Sequence, residues 1–575
     1  MKLRRNRVRI VLSAAATLFF ALYTVSISSP VTADSSAEEW KIAAPSDGGG
    51  VIPGYIGVDS KPSEQLLSFT SSLLNFEGTQ TNVTKVTACK SVSDPACATS
   101  YQMTSRAELQ PCSTTNSIDC FSDLIVRDSN GKDVKATLKS GVLKPNNQIF
   151  QGDQSVWLPT GGAPLIFDIP GAPHDGGSLY MVKPDVVLLR APGEKIFTLN
   201  KFEAGIYPVR LLSLGGTPNQ ASTDAKAYPA SGWTVGGGGG NGCTGFFDGE
   251  NCFIPQAFPN GFKFGMKLRF SHAVYGWLHG RFFAPDVQLT PNNLTQDGVD
   301  LTIVATPIRV PIISGFVRSD TAPADLLAFY TPKPYWGNVT SRNGTSVDRN
   351  GPIGNVTIIH EHFDPSAGTM AEFRAWLNAI GDTSAGEPSY WLVQTVIDGK
   401  VDEVDRCTKN AKTLAGVVST NSTAYLPGPP VFDKSIGALD YQVLGPHFLK
   451  DKSINEGTYN LILNNEVARC IYGFTPAPIG ATISVLGADG TNRVATTLVT
   501  QDKSFLKLQA AGFTFSDPIV RVKVSQNASD AISTPTPTPT PEPSVSASTE
   551  VLEPQPAATR ESTPTPTSTL LNGVK

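Results

Sequence analysis

Residues 481–500 read ATISVLGADGTNRVATTLVT, a stretch that indicates the fold class of the chain. Two runs rich in Val, Ile, Leu and Thr, residues 481–486 and 494–500, flank the dipeptide Asp489-Gly490. β-Branched residues favour strands, and Asp-Gly is a strong signal for a hairpin turn. The stretch therefore predicts two antiparallel strands.

The same pattern continues on both sides of this hairpin. Residues 459–463, 505–508 and 519–524 are further strand candidates. Strands that recur at roughly ten-residue intervals with turn signals between them are typical of a β-sandwich. Residues 427–525 are therefore predicted to form a C-terminal β-sandwich-like domain.

Two β-rich segments precede it. Residues 34–214 are predicted to form an N-terminal domain, with residues 128–131 (DSNG) as a hairpin turn, since their spacing does not fit a calcium-binding EF-hand loop. A Gly-rich zone, residues 215–242, predicts a domain boundary. Residues 243–426 are predicted to form a central β-rich domain.

One helix, residues 369–380, is predicted inside the central domain. Residues 369–372 (TMAE) match a capping box, apolar residues recur at helical spacing, and Gly381 follows as a stop signal. Trp376 beside this apolar stripe is interpreted as a packing residue. The predicted fold class is therefore mainly β and multi-domain, with antiparallel sandwich-like units and few helices.

Both termini predict an exported protein. Residues 2–9 are basic, residues 10–27 are apolar and uncharged, and residues 31–33 (VTA) offer a cleavage site, which together predict a signal peptide over residues 1–33. An uncleaved membrane anchor is the alternative. Residues 530–575 are rich in Thr and Pro and predict a disordered stalk or linker. We expect a secreted or cell-surface protein without a membrane span after cleavage.

The chain contains 8 cysteines, and an even number in an exported protein favours disulfides over metal. The preferred pairing joins Cys89 to Cys97, Cys112 to Cys120, Cys243 to Cys252 and Cys407 to Cys470. Bridges from Cys89 to Cys112 and from Cys97 to Cys120 are the alternative, because sequence does not fix connectivity. Charged residues make up 17% of the chain and its net charge is −4, so no nucleic-acid partner is expected.

His360, His362 and Asp364 are candidate metal ligands. On a strand these alternate residues share one face, and such an arrangement can hold zinc with a further ligand, for which His174, His279 and His447 are candidates. The alternative is that the histidine pair caps a sheet edge. No other cofactor is expected.

Other candidate side chains are also open to two interpretations. His279 could act as a base with Arg281 as an anion contact, or His279 could be a strand histidine whose hydrogen bonds are satisfied by backbone carbonyls. Residues 335–336 and 390–391, both Tyr-Trp, could stack on sugars or contribute to the core. The chain has no G-x-S-x-G, H-E-x-x-H or P-loop motif, so no catalytic residue is assigned.

Several short stretches resemble secreted actinobacterial surface proteins of unknown function: residues 276–281 (GWLHGR), 416–421 (GVVSTN), 427–430 (PGPP), 445–448 (GPHF), 468–470 (ARC) and 512–516 (GFTFS). The resemblance covers roughly residues 250–510. It implies a signal peptide, a β-rich architecture and surface placement, and it assigns no functional residues.

These observations favour a non-catalytic binding or adhesion protein whose partners are glycans, cell-envelope polymers or surface proteins. The first alternative is a secreted hydrolase of glycans or esters, assisted by a metal at His360 and His362. The second is a structural component of a surface layer.

Overall fold

A computed structural model describes residues 41–43, 54–56, 71–79, 82–97, 102–143, 149–213, 232–234, 246–248, 251–272, 274, 276–318, 323–332, 338–341, 346–348, 356–358, 367–396, 407, 414–426, 428–473, 480–486, 492–493, 496–501, 504–515 and 519–525. All of these belong to one compact unit, Met1–Ala531. The predicted signal peptide and the predicted Thr/Pro-rich tail lie outside the described residues.

Strands dominate this part of the chain, which confirms the predicted fold class. The largest sheet, which we call the central sheet, contains β3 (Ser72–Thr79), β4 (Asn82–Ala88), β5 (Gln102–Glu108), β9 (Leu179–Arg190), β10 (Thr198–Ser213), β15 (Gly276–Pro291), β22 (Ser389–Thr395), β23 (Leu414–Thr420), β27 (Glu456–Asn464), β30 (Thr496–Gln501) and β31 (Phe505–Thr514). Their spatial order is β4-β3-β5-β9-β10-β22-β15-β23-β27-β31-β30. These neighbours are antiparallel except for β15 and β23, which are parallel.

The central sheet joins segments that are far apart in the sequence. β10 pairs with β22, and β23 pairs with β27. All three segments predicted as domains, residues 34–214, 243–426 and 427–525, therefore contribute strands to the same sheet. Four short strands extend it beside β9 and β10: β7 (Thr137–Leu138), β8 (Leu165–Asp168), β12 (Phe246–Phe247) and β13 (Asn251–Pro255).

A second sheet packs on one face of the central sheet. It contains β6 (Cys120–Arg127), β14 (Lys263–Phe270), β16 (Val299–Arg309) and the second half of β15. A register shift between Phe283 and Asp286 lies where β15 passes from one sheet to the other, as expected of a bulge that bends a strand. Buried side chains of both sheets form one core cluster, which includes Phe202, Phe264 and Trp391.

A third sheet packs on the opposite face, over the C-terminal strands of the central sheet. It contains β24 (Ala424–Tyr425), β25 (Val431–Asp433), β26 (Ala438–Leu444), β28 (Gly480–Leu486), β29 (Asn492–Arg493) and β32 (Ile519–Ser525). A second core cluster lies between the two sheets and includes Leu461, Tyr441 and Val522. The predicted hairpin of residues 481–486 with 494–500 is only partly correct: β28 pairs with the short strand β29, whereas residues 496–501 belong to the central sheet and pair with β31.

The remaining described strands form three small sheets: β1 (Lys41–Ala43) with β11 (Gly232–Thr234); β2 (Gly54–Ile56), β17 (Ile313–Arg318) and β21 (Val356–Ile358); and β18 (Tyr330–Pro332), β19 (Asn338–Ser341) and β20 (Ser346–Asp348). The α-helices are α1 (Ala324–Leu327), α2 (Ala367–Ala379) and α3 (Asn465–Tyr472).

Helix α2 confirms the predicted helix. It begins two residues before the predicted start, so Thr369 lies within the first turn. Gly381 has φ +69°, and the N–H of Asp382 donates to the carbonyl of Leu377 at 2.8 Å, the six-residue closure of a Schellman motif. Trp376 is fully buried in the second core cluster, as predicted.

Three predicted disulfides are present: Cys89–Cys97, Cys112–Cys120 and Cys407–Cys470. Cys252 is also disulfide-bonded, and its predicted partner Cys243 lies outside the described residues. Cys407 is buried in the second core cluster and Cys470 lies in helix α3, so this bond attaches the segment after α2 to the C-terminal part of the fold.

Candidate functional site

The predicted metal ligands His360, His362 and Asp364 lie outside the described residues, so zinc binding there stays a prediction. The three histidines considered as a further ligand have separate surroundings: His174 Nε2 lies 2.9 Å from the Leu179 carbonyl, His279 stacks on Tyr425, and His447 Nδ1 lies 2.7 Å from Asp382 Oδ2. Within the part of the chain that the structure describes, no three His, Cys, Asp or Glu side chains are grouped as a metal site.

His279 and Arg281 are packed inside the protein. The imidazole of His279 stacks on the ring of Tyr425 at 3.9 Å, and both residues are buried. Arg281 donates from Nη1 to the carbonyls of Thr420 and Ser422, at 2.9 and 2.5 Å. These contacts indicate a packing role for both side chains.

The tryptophan side chains differ in whether they could offer a stacking surface to a ligand. Trp391 is buried and its Nε1 donates to the carbonyl of Phe264 at 2.8 Å, so it offers no stacking surface, and residues 335–336 lie outside the described residues. Trp277 and Trp376 are also buried. Among the tryptophans whose side chains are described, Trp157 alone is half-buried.

A cavity of about 550 Å³ lies close to Trp157. It is lined by residues from three segments, 91–93, 115–119 and 151–160. Five lining residues carry hydroxyls (Ser91, Ser93, Thr115, Ser155, Thr160), three carry amides (Asn116, Gln151, Gln154) and two carry carboxylates (Asp119, Asp153). The described lining includes no Lys, Arg or His. We call this cavity the polar pocket; its size is that of a small-molecule site, but its lining is far more polar than usual.

Two short disulfide loops hold the first two segments. The Cys89–Cys97 bond closes the loop that carries Ser91 and Ser93, and the Cys112–Cys120 bond closes the loop that carries Asn116. The first loop is tied to the third segment because the N–H of Gln151 donates to the Lys90 carbonyl at 2.8 Å. The disulfides therefore fix a polar surface that has little regular structure of its own.

The third segment contains a short 3₁₀-helix, Gln154–Val156. Asp153 caps it: its Oδ1 accepts from the N–H of Ser155 at 2.9 Å and from the hydroxyl of the same residue at 2.7 Å. Trp157 ends it with φ 56° and ψ 50°, a left-handed conformation. Such a conformation is disfavoured for a bulky side chain and calls for supporting contacts.

Asp119 lies between the polar pocket and Trp157. It is buried, it also has a positive φ, 52°, and its Oδ1 accepts from the N–H of Ser271 at 2.8 Å. Burial raises the pKa of Asp119, while hydrogen bonds from Ser271 and Trp157 and the nearby His272 act in the opposite direction. Two left-handed non-glycine residues are thus linked at the edge of one cavity.

A second cluster of charged side chains lies elsewhere on the central sheet. Lys183 Nζ lies 3.1 Å from Glu108 Oε1 and 3.9 Å from Asp185 Oδ2, and Arg106 Nε donates to Asp185 Oδ2 at 2.9 Å. These side chains point away from the core cluster between the first two sheets, and none of them lines the polar pocket. The arrangement is a buried network of ionisable side chains.

The sequence did not indicate the polar pocket. Its lining consists of common turn residues, and its three segments are brought together by pairing that the sequence does not reveal. The sequence feature that could have pointed to the pocket is the repeated C-x7-C spacing of Cys89–Cys97 and Cys112–Cys120, because the loops closed by these two disulfides line the pocket.

No protein-family model and no curated protein matches the chain. The resemblance to secreted actinobacterial surface proteins therefore stays a prediction. No helix in the described part of the chain has the length and apolar character needed to cross a membrane.

Proposed function

We propose that this is an exported, non-catalytic binding protein whose polar pocket holds a neutral, hydroxyl-rich ligand, namely a segment of a glycan or another cell-envelope polymer. The observation that carries the proposal is the lining of the pocket, with ten hydroxyl, amide and carboxylate side chains and no cation among the described residues.

The lining matches the chemistry of sugars. Hydroxyls and amides both donate and accept hydrogen bonds, and carboxylates accept them strongly, so the pocket can satisfy a ligand that carries many hydroxyl groups. Asp119 and Asp153 disfavour a phosphate or carboxylate ligand, because like charges would be brought together without a compensating cation. An anionic polymer is therefore a poor partner for this pocket.

The setting of the pocket agrees with an extracellular role. Disulfides persist in oxidising compartments, and two of them build the pocket walls. The predicted signal peptide, residues 1–33, would deliver the chain there. The predicted stalk, residues 530–575, would place the binding surface away from an attachment point.

A binding assay with a matched variant tests this proposal. Gln154 is exposed at the pocket rim, and Gln154→Ala removes an amide without opening the core. We expect one of three neutral hexasaccharides (maltohexaose, cellohexaose or N-acetylchitohexaose) to bind the wild type in calorimetry. Gln154→Ala should weaken that binding on the order of fivefold, the value of about one hydrogen bond.

The control is Gln288→Ala, which removes an exposed amide from β15, away from the pocket, and should leave the affinity unchanged. Preferential binding of polygalacturonate, an anionic polymer, would contradict the proposal. Hydrolysis of any panel member that is lost in a His360→Ala, His362→Ala variant would favour the metal-assisted hydrolase instead.

A further inference from the structure

We infer that the paired rings of Trp157 and His272 form a second part of the same binding site, against which a pyranose ring of the ligand lies. The inference rests on the proposed function and makes it specific. It identifies the ligand as a glycan, and it names the side chains that recognise the apolar face of the sugar.

The ring pair has the geometry of a stacking surface. The ring centroids of Trp157 and His272 are 4.1 Å apart and their planes are inclined by 33°. His272 is exposed, whereas Trp157 is half-buried beneath it. The imidazole packs against the indole and is itself exposed, so part of its surface is accessible to a ligand.

The ring pair is held in place by hydrogen bonds. Ser271 Oγ lies 2.8 Å from His272 Nδ1, and the N–H of Ser271 donates to Asp119 at 2.8 Å. Trp157 lies next to Asp119, and both line one small crevice. The Asp119 carboxylate thus anchors the backbone next to His272 and lies beside Trp157, which reduces the freedom that the rings would lose when a ligand binds.

Backbone conformation points to the same place. Asp119 and Trp157 are both left-handed, so two of the few non-glycine residues with positive φ in the described chain line the same crevice. Disfavoured conformations of this kind are concentrated at ligand sites, where the surrounding contacts maintain them.

The ring pair and the polar pocket are adjacent. Asp119 and Pro159 line the polar pocket, and both also line the small apolar crevice that contains Trp157 and His272. A ligand that is longer than the pocket is therefore placed to reach the exposed imidazole of His272. The combined surface offers hydrogen-bonding groups on one side and an aromatic face on the other.

A pyranose fits this combination. Its ring carries hydroxyls at the edge and C–H groups on its faces, and aromatic side chains pack favourably against such apolar faces while hydroxyls reach polar partners. A flexible polyol has the hydroxyls without the flat apolar face. The structure therefore favours a ring sugar over an open-chain polyol.

The test uses the three neutral hexasaccharides with variants of the outer ring. His272→Ala removes an exposed side chain and should weaken binding on the order of tenfold, whereas His272→Phe keeps an aromatic face and should retain affinity within about threefold. Trp157→Gly should also weaken binding, and glycine suits the left-handed backbone there, so this variant should stay folded. Sorbitol should not bind the wild type.

The outcomes separate the two proposals. If Gln154→Ala weakens hexasaccharide binding while His272→Ala and Trp157→Gly bind like the wild type, the ring pair is not part of the site and the proposed function stands. If sorbitol binds as well as the hexasaccharides, recognition of a pyranose is wrong. If the wild type binds none of the three hexasaccharides, the proposed function fails and the inference fails with it.

Discussion

Glu108 illustrates how strongly the central sheet shapes the chemistry of one residue. It is fully buried, and the strand register places it opposite Asp185, which in turn lies opposite Glu203. Burial, together with the charge of Asp185, raises the pKa of Glu108 to about 8, although Lys183 and Arg106 oppose the shift. The ordinary value is 4.5, so between these pH values the folded protein holds a proton that the unfolded chain releases.

This difference predicts the pH dependence of stability. Because the folded state binds more protons at Glu108, the free energy of unfolding that this group contributes falls as the pH rises from about 5 to about 8. The glutamine of Glu108→Gln cannot titrate. As the pH rises from 5 to 8, the free energy of unfolding of the wild type should therefore fall relative to that of this variant, on the order of 1 kcal/mol per pH unit. Denaturant unfolding of both proteins at pH 5 and pH 8 measures the difference.

The control is Glu77→Gln, because Glu77 forms a surface ion pair with Lys85 at 3.3 Å on the edge of the same sheet. Surface pairs contribute little, so the difference between the wild type and this variant should change little over the window. An equally flat difference for Glu108→Gln would show that Glu108 does not hold a proton in the folded state.

At the scale of elements, the C-terminus of helix α2 shows how much a single glycine stop signal contributes to stability. Gly381 has φ +69°, and a Cβ added there would meet no atom within 4 Å, so only the backbone conformation resists a side chain. Gly381→Ala should therefore destabilise the protein by about 1 kcal/mol. Gly386 also has open space around its Cβ direction but no positive φ, and Gly386→Ala should be neutral or slightly stabilising. Equal thermal shifts in the two variants would contradict this account of the helix end.

Local signals explain which elements were predictable from the sequence. The stop at Gly381, the turn at residues 128–131 and the strand candidate at residues 505–508 depend on neighbouring residues only, and all three correspond to observed elements. Helix α3 was missed, since it has only 8 residues and its cap, Asn464, is the last residue of strand β27. Short elements contain too few residues for a periodic pattern to be recognised.

At the scale of the whole molecule, strand partners could not be predicted. The parallel pairing of β15 with β23, which places Trp277 beside Gly416, brings together residues more than a hundred positions apart, and no local pattern specifies it. The same holds for the candidate site, where Asp119 contacts Ser271 at a separation of 152 residues. The residue types of the pocket were visible in the sequence, but their convergence depends on the order of the strands.

Because one sheet contains strands from residue 72 to residue 514, we expect the described part of the chain to unfold as one unit. The Cys407–Cys470 bond, with a separation of 63 residues, should then stabilise the whole unit, by about 4 kcal/mol from chain entropy. The Cys89–Cys97 bond, with a separation of 8, should contribute about 2.5 kcal/mol.

The two bonds are compared by replacing each cysteine pair with alanines. Denaturation of each variant is followed by both tryptophan fluorescence and circular dichroism. We expect coincident transitions for the two probes in both variants, with the larger loss for Cys407→Ala, Cys470→Ala. Two separate transitions in either variant would show instead that the three segments of the central sheet unfold independently.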